Sequence, residues 1–375
     1  MRNAKKTVLG AAALAALVAA PAWAAAGENP PLATLGPVPV PLDNPMTPEK
    51  IALGEKLYWD GRLSGNGSMA CAACHLPDLG WGTASPISFG YPGTQHWRNS
   101  QTVLNSAYYN KGFWEGNVSS LEAQAPAAAE GAVAGNGDGS MMEMRLRFVP
   151  EYVRDFKTVF GTDWPNIAQA WQAIAAYERT IVTDVTKVPF DRYLAGDTAA
   201  LSAEARRGMD LFNDKAGCIA CHNGALVSDQ NYYNTGVPTA PEFVEDPLFQ
   251  ITQRWELYQK GVSEETYRHG DADLGLYFKT KRPEDKFKFR TPSLRELRWT
   301  EPFMHNGVID TLPEVVAFYN AGGGAGQTAG LQPLGLSDAE QADLVAFLEA
   351  LSMDEPLLMD EPDLPETATW AEFNQ

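Results

Sequence analysis

All four cysteines of the 375-residue chain fall in two copies of one pattern. "ACAACHL" places Cys71 and Cys74 three apart with His75 behind them, and "GCIACHN" repeats this with Cys218, Cys221 and His222. A Cys-x-x-Cys pair can close a disulfide, supply half of a zinc site, or attach haem covalently with the next histidine as an axial iron ligand. A redox disulfide does not require the histidine, least of all twice. Zinc needs four ligands per site, and beyond the motifs the chain offers only His96, His269 and His305. Haem attachment uses every residue of the pattern: two thioethers clamp one edge of the porphyrin while the adjacent imidazole meets the iron. Two covalently bound haem c groups are therefore expected, with His75 and His222 as proximal ligands.

The elements that must hold these motifs also come in pairs. "TPEKIALGEKLYWDGRLSGNGSMACAACH" before the first motif resembles "SAEARRGMDLFNDKAGCIACH" before the second. Each opens on a hydroxyl residue suited to cap a helix, Thr47 followed by Pro48, or Ser202. "LGEKLYWD" and "RGMDLFND" occupy matching places, which predicts an internal duplication. Each unit should close with a second helix, over residues 166–181 and 336–351, where apolar residues recur at helical spacing. Ser337 and Glu340 add a capping-box pattern to the latter. Residues 183–200 read as the linker, and residues 321–330 and the acidic tail after Met353 read as loops. Alternating β-branched runs are scarce, so the fold class is mainly α, two cytochrome c-like domains at 25–185 and 186–375.

Residues 1–24 read as a secretory signal: a basic start, an apolar run over 8–20, then Pro21 and a small-residue cleavage site. The run is too short to span a bilayer, and no later stretch is long enough. A periplasmic location is expected. The signal carries Arg2, Lys5 and Lys6 and no acid, so its loss takes the formal charge from −18 to −21. Such acidity argues against nucleic acid, which needs clustered cations, and permits attraction to a basic partner protein.

With the duplicated motifs in hand, residues 45–352 resemble the bacterial di-haem cytochrome c peroxidase and MauG family. The resemblance rests on "CAACH", "RNSQTVLNSAYYNKGFWEG" (98–116), "CIACHNG" and "FRTPSLRELRWTEPFMHNGVIDTLPEVVAFYN" (289–320), in that order and spacing. It implies an N-terminal haem that meets hydrogen peroxide and a C-terminal haem that handles electrons. It places Tyr319 where peroxidases carry a methionine ligand and MauG-like enzymes a tyrosine; Met304 is the rival. A hard phenolic oxygen stabilises oxidised iron, where a thioether favours the reduced ion.

On the peroxide side the resemblance implies that Gln124 and Glu130 are the distal amide and carboxylate, with Glu143 the alternative acid. A distal histidine that some relatives carry would fall near Tyr91; His96 is close by, and the alternative is a permanently open iron. Trp114 matches the tryptophan between the haems, and Asn99, Thr300 and Pro302 match ligands of an inter-haem calcium, Pro302 through its carbonyl. His305 and Arg295 should line the second haem, while His269 has no derived role. The implied reductant is a small cytochrome or cupredoxin; with tyrosine ligation it is instead an aromatic side chain of a partner protein. The resemblance also allows a homodimer, and the rival function is a pure electron-transfer cytochrome with both irons six-coordinate.

Overall fold

The computed structural model describes residues 29–368 apart from 92 and 94, so the signal assigned to residues 1–24 lies outside it. The first half contains α1 (Pro48–Trp59), α2 (Leu121–Ala129), α3 (Gly139–Arg147), α4 (Pro150–Phe160) and α5 (Ile167–Glu178). Next come α6 (Pro189–Leu194), α7 (Ala203–Asn213), α8 (Pro241–Glu245), α9 (Pro247–Gln259), α10 (Glu264–His269) and α11 (Tyr277–Thr280). The chain closes with α12 (Leu312–Asn320) and α13 (Asp338–Glu349). The only sheet among the described residues is a two-residue antiparallel pairing of β1 (Tyr232–Tyr233) with β2 (Phe289–Arg290). The mainly helical class expected from the sequence is thus the observed one.

Two hydrophobic cores lie behind the two motifs. The first joins α1, α4 and α5 through Leu53, Leu57, Phe156, Ile174 and Tyr177. The second joins α7, α12 and α13 through Phe212, Val316, Leu344 and Phe347. Thr47 and Ser202 cap α1 and α7 as expected, and Ser337 with Glu340 forms the capping box of α13.

Glycine sets the distance at which each helix pair crosses. A Cβ on Gly54 would stand 2.0 Å from the carbonyl oxygen of Ala173, and one on Gly208 would stand 2.0 Å from that of Asp343. Only a residue without a side chain lets α1 meet α5, and α7 meet α13, backbone to backbone.

Residues 183–200 are more than a linker. Phe190 is fully buried against Phe347, with ring centroids 5.8 Å apart, and Asp191 forms a buried bidentate pair with Arg295 at 2.7 and 3.0 Å. This segment leaves the first core and immediately becomes part of the second. The two ends of the chain cross over in the opposite sense. Leu32 packs against the second core and the carbonyl of Ala33 accepts from Arg295 at 2.9 Å. Leu357 and Met359 pack against the first core, where Trp81 Nε1 donates to the Leu357 carbonyl at 2.8 Å and Arg62 to that of Pro365 at 2.8 Å. The acidic tail has no regular structure, as expected, but it is strapped down.

Candidate haem sites

The two Cys-Cys-His motifs fold alike. Each is one 3-10 turn, Cys71–Ala73 and Cys218–Ala220, closed by a 3.2 Å hydrogen bond from the second cysteine's N–H to the first one's carbonyl. Each histidine is held from behind: His75 Nδ1 meets the Trp81 carbonyl and His222 Nδ1 the Val227 carbonyl, both at 3.2 Å. A carbonyl can only accept, so Nδ1 carries the proton and Nε2 keeps its lone pair, as an axial ligand requires. Burial pushes both imidazoles down, which keeps them neutral.

The accepting residue is left-handed in both motifs, Trp81 at φ 60° and Val227 at φ 51°. Bulky and β-branched residues adopt that region at a cost of about 1–3 kcal/mol, tolerated where the surroundings demand the geometry. Burial pushes the Cys71 and Cys218 thiols up to about 12, and none of the four cysteines is in a disulfide. No group of three or more His, Cys, Asp or Glu converges to hold a metal ion among the described residues, so a zinc site lacks its further ligands. The motifs therefore fit haem.

A cavity of about 510 Å³ opens on the first motif, within the range of cofactor sites. His75, Trp114 from the 98–116 loop and Gln124 from α2 share its wall. Asn99, Thr300 and Pro302 lie on the same wall. Trp114 is fixed by its Nε1–H on the Asn99 carbonyl at 3.1 Å and stands edge-on to His305, 6.4 Å between centroids. His305 in turn stacks on Phe289 at 3.6 Å, and burial pushes its pKa down to about 4. On the same wall, buried Arg98 pairs with Glu115 and also with Asp273, the latter at 2.9 Å through Nη2.

His96 also faces the cavity, stacked on Trp97 at 4.1 Å. Its Nδ1 accepts the backbone N–H of Arg98 at 3.1 Å, and burial pushes its pKa down to about 3. A neutral ring accepting at Nδ1 carries its proton on Nε2 and offers iron no lone pair. Met304 lines the cavity as well. Tyr319, in the last turn of α12, is partly buried. Burial pushes its hydroxyl up to about 12, and the Cys218 and Cys221 thiols lie near enough to add to the shift.

Two expected acids stand elsewhere. Glu130 is the exposed C-cap of α2, off the wall that its neighbours Ala128, Ala129 and Gly131 line. Glu143 is occupied structurally, paired with Arg147 and accepting the Ile167 N–H at 3.0 Å. Arg295 is spent on Asp191 and two backbone carbonyls. His269 is exposed at the end of α10, 3.8 Å from Glu265.

The model of the di-haem cytochrome c peroxidase family matches residues 48–199. A cytochrome-c peroxidase IdrP1 from Denitromonas iodatirespirans is 65% identical over 359 residues, 95% of this chain and 96% of that protein. The chain belongs to the di-haem cytochrome c peroxidase/MauG family. A methylamine utilization protein MauG from Methylorubrum extorquens is 34% identical across 88% of this chain and 85% of its own. Among solved structures, a MauG-like protein associated with microbial copper homeostasis superposes with a TM-score of 0.70 at 28% identity, covering 85% of this chain and 94% of that one. As a member of the family the protein is a haem peroxidase-type oxidoreductase with two haem groups.

One residue of the cavity wall was not among those expected. Glu178, the last residue of α5, lies on the cavity wall, is only 3% exposed, and its Oε2 has no hydrogen-bond partner. Burial pushes its carboxyl up to about 8. The signal for it was a lone acid inside the apolar run "AIAAYERTI". The left-handed carbonyls of Trp81 and Val227 had only one signal, their position a few residues beyond each motif histidine.

Proposed function

We propose that this protein reduces hydrogen peroxide at an open N-terminal haem and draws the electrons through a second, C-terminal haem. Cys71 and Cys74 would hold the first group and His75 its iron; Cys218, Cys221 and His222 would do the same for the second. When bound, the haems supply the iron that takes peroxide and the path for its electrons. The observation that carries the reading is the pair of matching turns, each presenting a neutral imidazole Nε2, one of them at a cavity shared with Gln124 and Trp114.

Gln124 orients the peroxide from α2; Glu130, the acid the family pattern assigns, stands off the cavity wall. Trp114, held by the Asn99 carbonyl, relays electrons past His305. Tyr319 is the proposed sixth ligand of the second haem, supported by its nearness to the Cys218 and Cys221 thiols. Asn99, Thr300 and the Pro302 carbonyl are neutral oxygen donors on one wall, a set suited to a calcium ion completed by water. The matched glycine crossings support a duplication into units at 25–185 and 186–375, and the signal at 1–24 supports a periplasmic location. No helix of the described residues is long and apolar enough to cross a membrane.

The high identity to a named peroxidase favours a small cytochrome or cupredoxin as donor. Tyr319 favours the second branch, oxidation of aromatic residues on a partner protein. Pairing of two copies belongs to the same reading. The test is the ferric absorption spectrum before and after one equivalent of peroxide. A high-spin component that peroxide abolishes is expected; two low-spin haems indifferent to peroxide would leave only an electron-transfer cytochrome.

A further inference from the structure

The peroxide cavity needs a group that moves a proton between the two oxygens, and Glu130 and Glu143 are not on its wall. The carboxylates that are on it number three: Glu115, Glu178 and Glu256. Glu115 is committed to Arg98 and Asn117, and Glu256 lies 3.8 Å from Lys260. Glu178 alone is buried with a carboxyl oxygen that meets no donor. Leaving such an atom unsatisfied costs about 1–3 kcal/mol, so its persistence calls for an explanation.

We infer that Glu178 is the carboxyl that moves protons during peroxide cleavage, an inference that rests on the peroxidase reading above. Its placement follows from packing. α2 lies against α5, and Glu122 in the first turn of α2 grips Arg179, the residue after Glu178, at 2.8 Å. The end of α5 is thereby held beside the helix that carries Gln124, and both side chains reach the same space. The charged and titratable groups around Glu178 are Arg179, Glu122 on α2, Tyr58 on α1 and Cys71 on the motif turn. Arg179 opposes protonation, but it is divided between Glu122 and the Ala175 carbonyl.

Near neutral pH the carboxyl therefore holds its proton. In the step it serves, the O–O bond breaks and Glu178 gives its proton to the departing oxygen, which leaves as water. Two electrons come from a one-electron redox protein, a second proton comes from solvent, and solvent reprotonates Glu178. Peroxide, two electrons and two protons become two waters.

The holoprotein tests this with E178Q, which keeps the shape and loses the proton. The rate of the peroxide-induced spectral change should fall about 10²-fold or more, while E178D retains most of it and E256Q is unchanged. A second readout needs no peroxide: the infrared carbonyl stretch of a protonated carboxyl, shifted by D₂O. It should be present at neutral pH, fade as pH rises through about 8, and be missing from E178Q. Wild-type rates in E178Q, a loss confined to E130Q, or no such band in the wild type each overturn the assignment. A wild-type protein inert to peroxide removes the peroxidase reading itself, so the two failures are distinguishable. If E178Q does not fold, E178D and the wild-type band decide the matter.

Discussion

Replacing Gly208 with alanine should force α7 and α13 apart. The new Cβ would sit 2.0 Å from the Asp343 carbonyl oxygen, and ordinary contact begins near 3.4 Å, so the helices must separate by about 1.4 Å. The obstacle is helix backbone and cannot swing aside. The same Cβ would meet Phe347 Cβ at 2.8 Å, and Phe347 is the ring on which Phe190 and Phe212 pack. Overpacking of this kind costs about 1–3 kcal/mol, while alanine returns about 0.5–1 kcal/mol of helix propensity. The net expectation, from the middle of each range, is a loss of about 1 kcal/mol, read as a lower denaturant midpoint at unchanged slope in the holoprotein. Gly54→Ala should behave alike, with its Cβ 2.0 Å from the Ala173 carbonyl oxygen and 2.9 Å from Tyr177 Cβ. Gly36→Ala, with nothing within 4 Å, is the control. Neutral or stabilising behaviour in both crossing variants would refute the idea that these glycines set the helix spacing.

Arg295→Met should cost about 3–5 kcal/mol, because it leaves Asp191, 1% exposed, without its cation; the denaturant midpoint reports it, and adding Asp191→Asn should recover part of the loss. Burial pushes the Asp273 carboxyl up, but Arg98 outweighs it and holds the group below its usual range. A depressed carboxylate contributes stability that is present above its unfolded pKa of about 3.9 and lost as pH falls through the folded value. The stability advantage of the wild type over Asp273→Asn should therefore shrink as pH drops from about 6 to about 3, and a constant difference would deny Asp273 that role.

Much of the frame was legible because it obeys local rules. Caps and 3.6-residue periodicity marked α1, α5, α7 and α13 within a few residues, and the cysteine spacing marked both Cys-Cys-His turns. The segment from 183 to 200 read as linker because its chemistry is turn-like; the burial of Phe190 against Phe347 is a long-range fact with no local trace. Between 241 and 280, α8, α10 and α11 are four to six residues long, too short to show a helical period, and α9 (Pro247–Gln259) went unmarked although Asp246 caps it and Pro247 opens it. In the site, Gln124 and Trp114 came from the family resemblance, and they share the cavity. Glu130 caps the end of α2 and faces outward. Glu178 left one trace, an acid inside the apolar run of α5, but nothing local tells that the end of that run faces a cavity.

The crossed ends bear on how the protein is made. The first core lacks its final layer until Leu357 and Met359 arrive, and the second draws on Leu32 and Ala33 from near the start. During synthesis, therefore, the first core cannot be finished until the whole of the second has been made. The early motif must wait, partly uncovered, for Leu357 and Met359, an interval in which Cys71 and Cys74 are open to chemistry from outside.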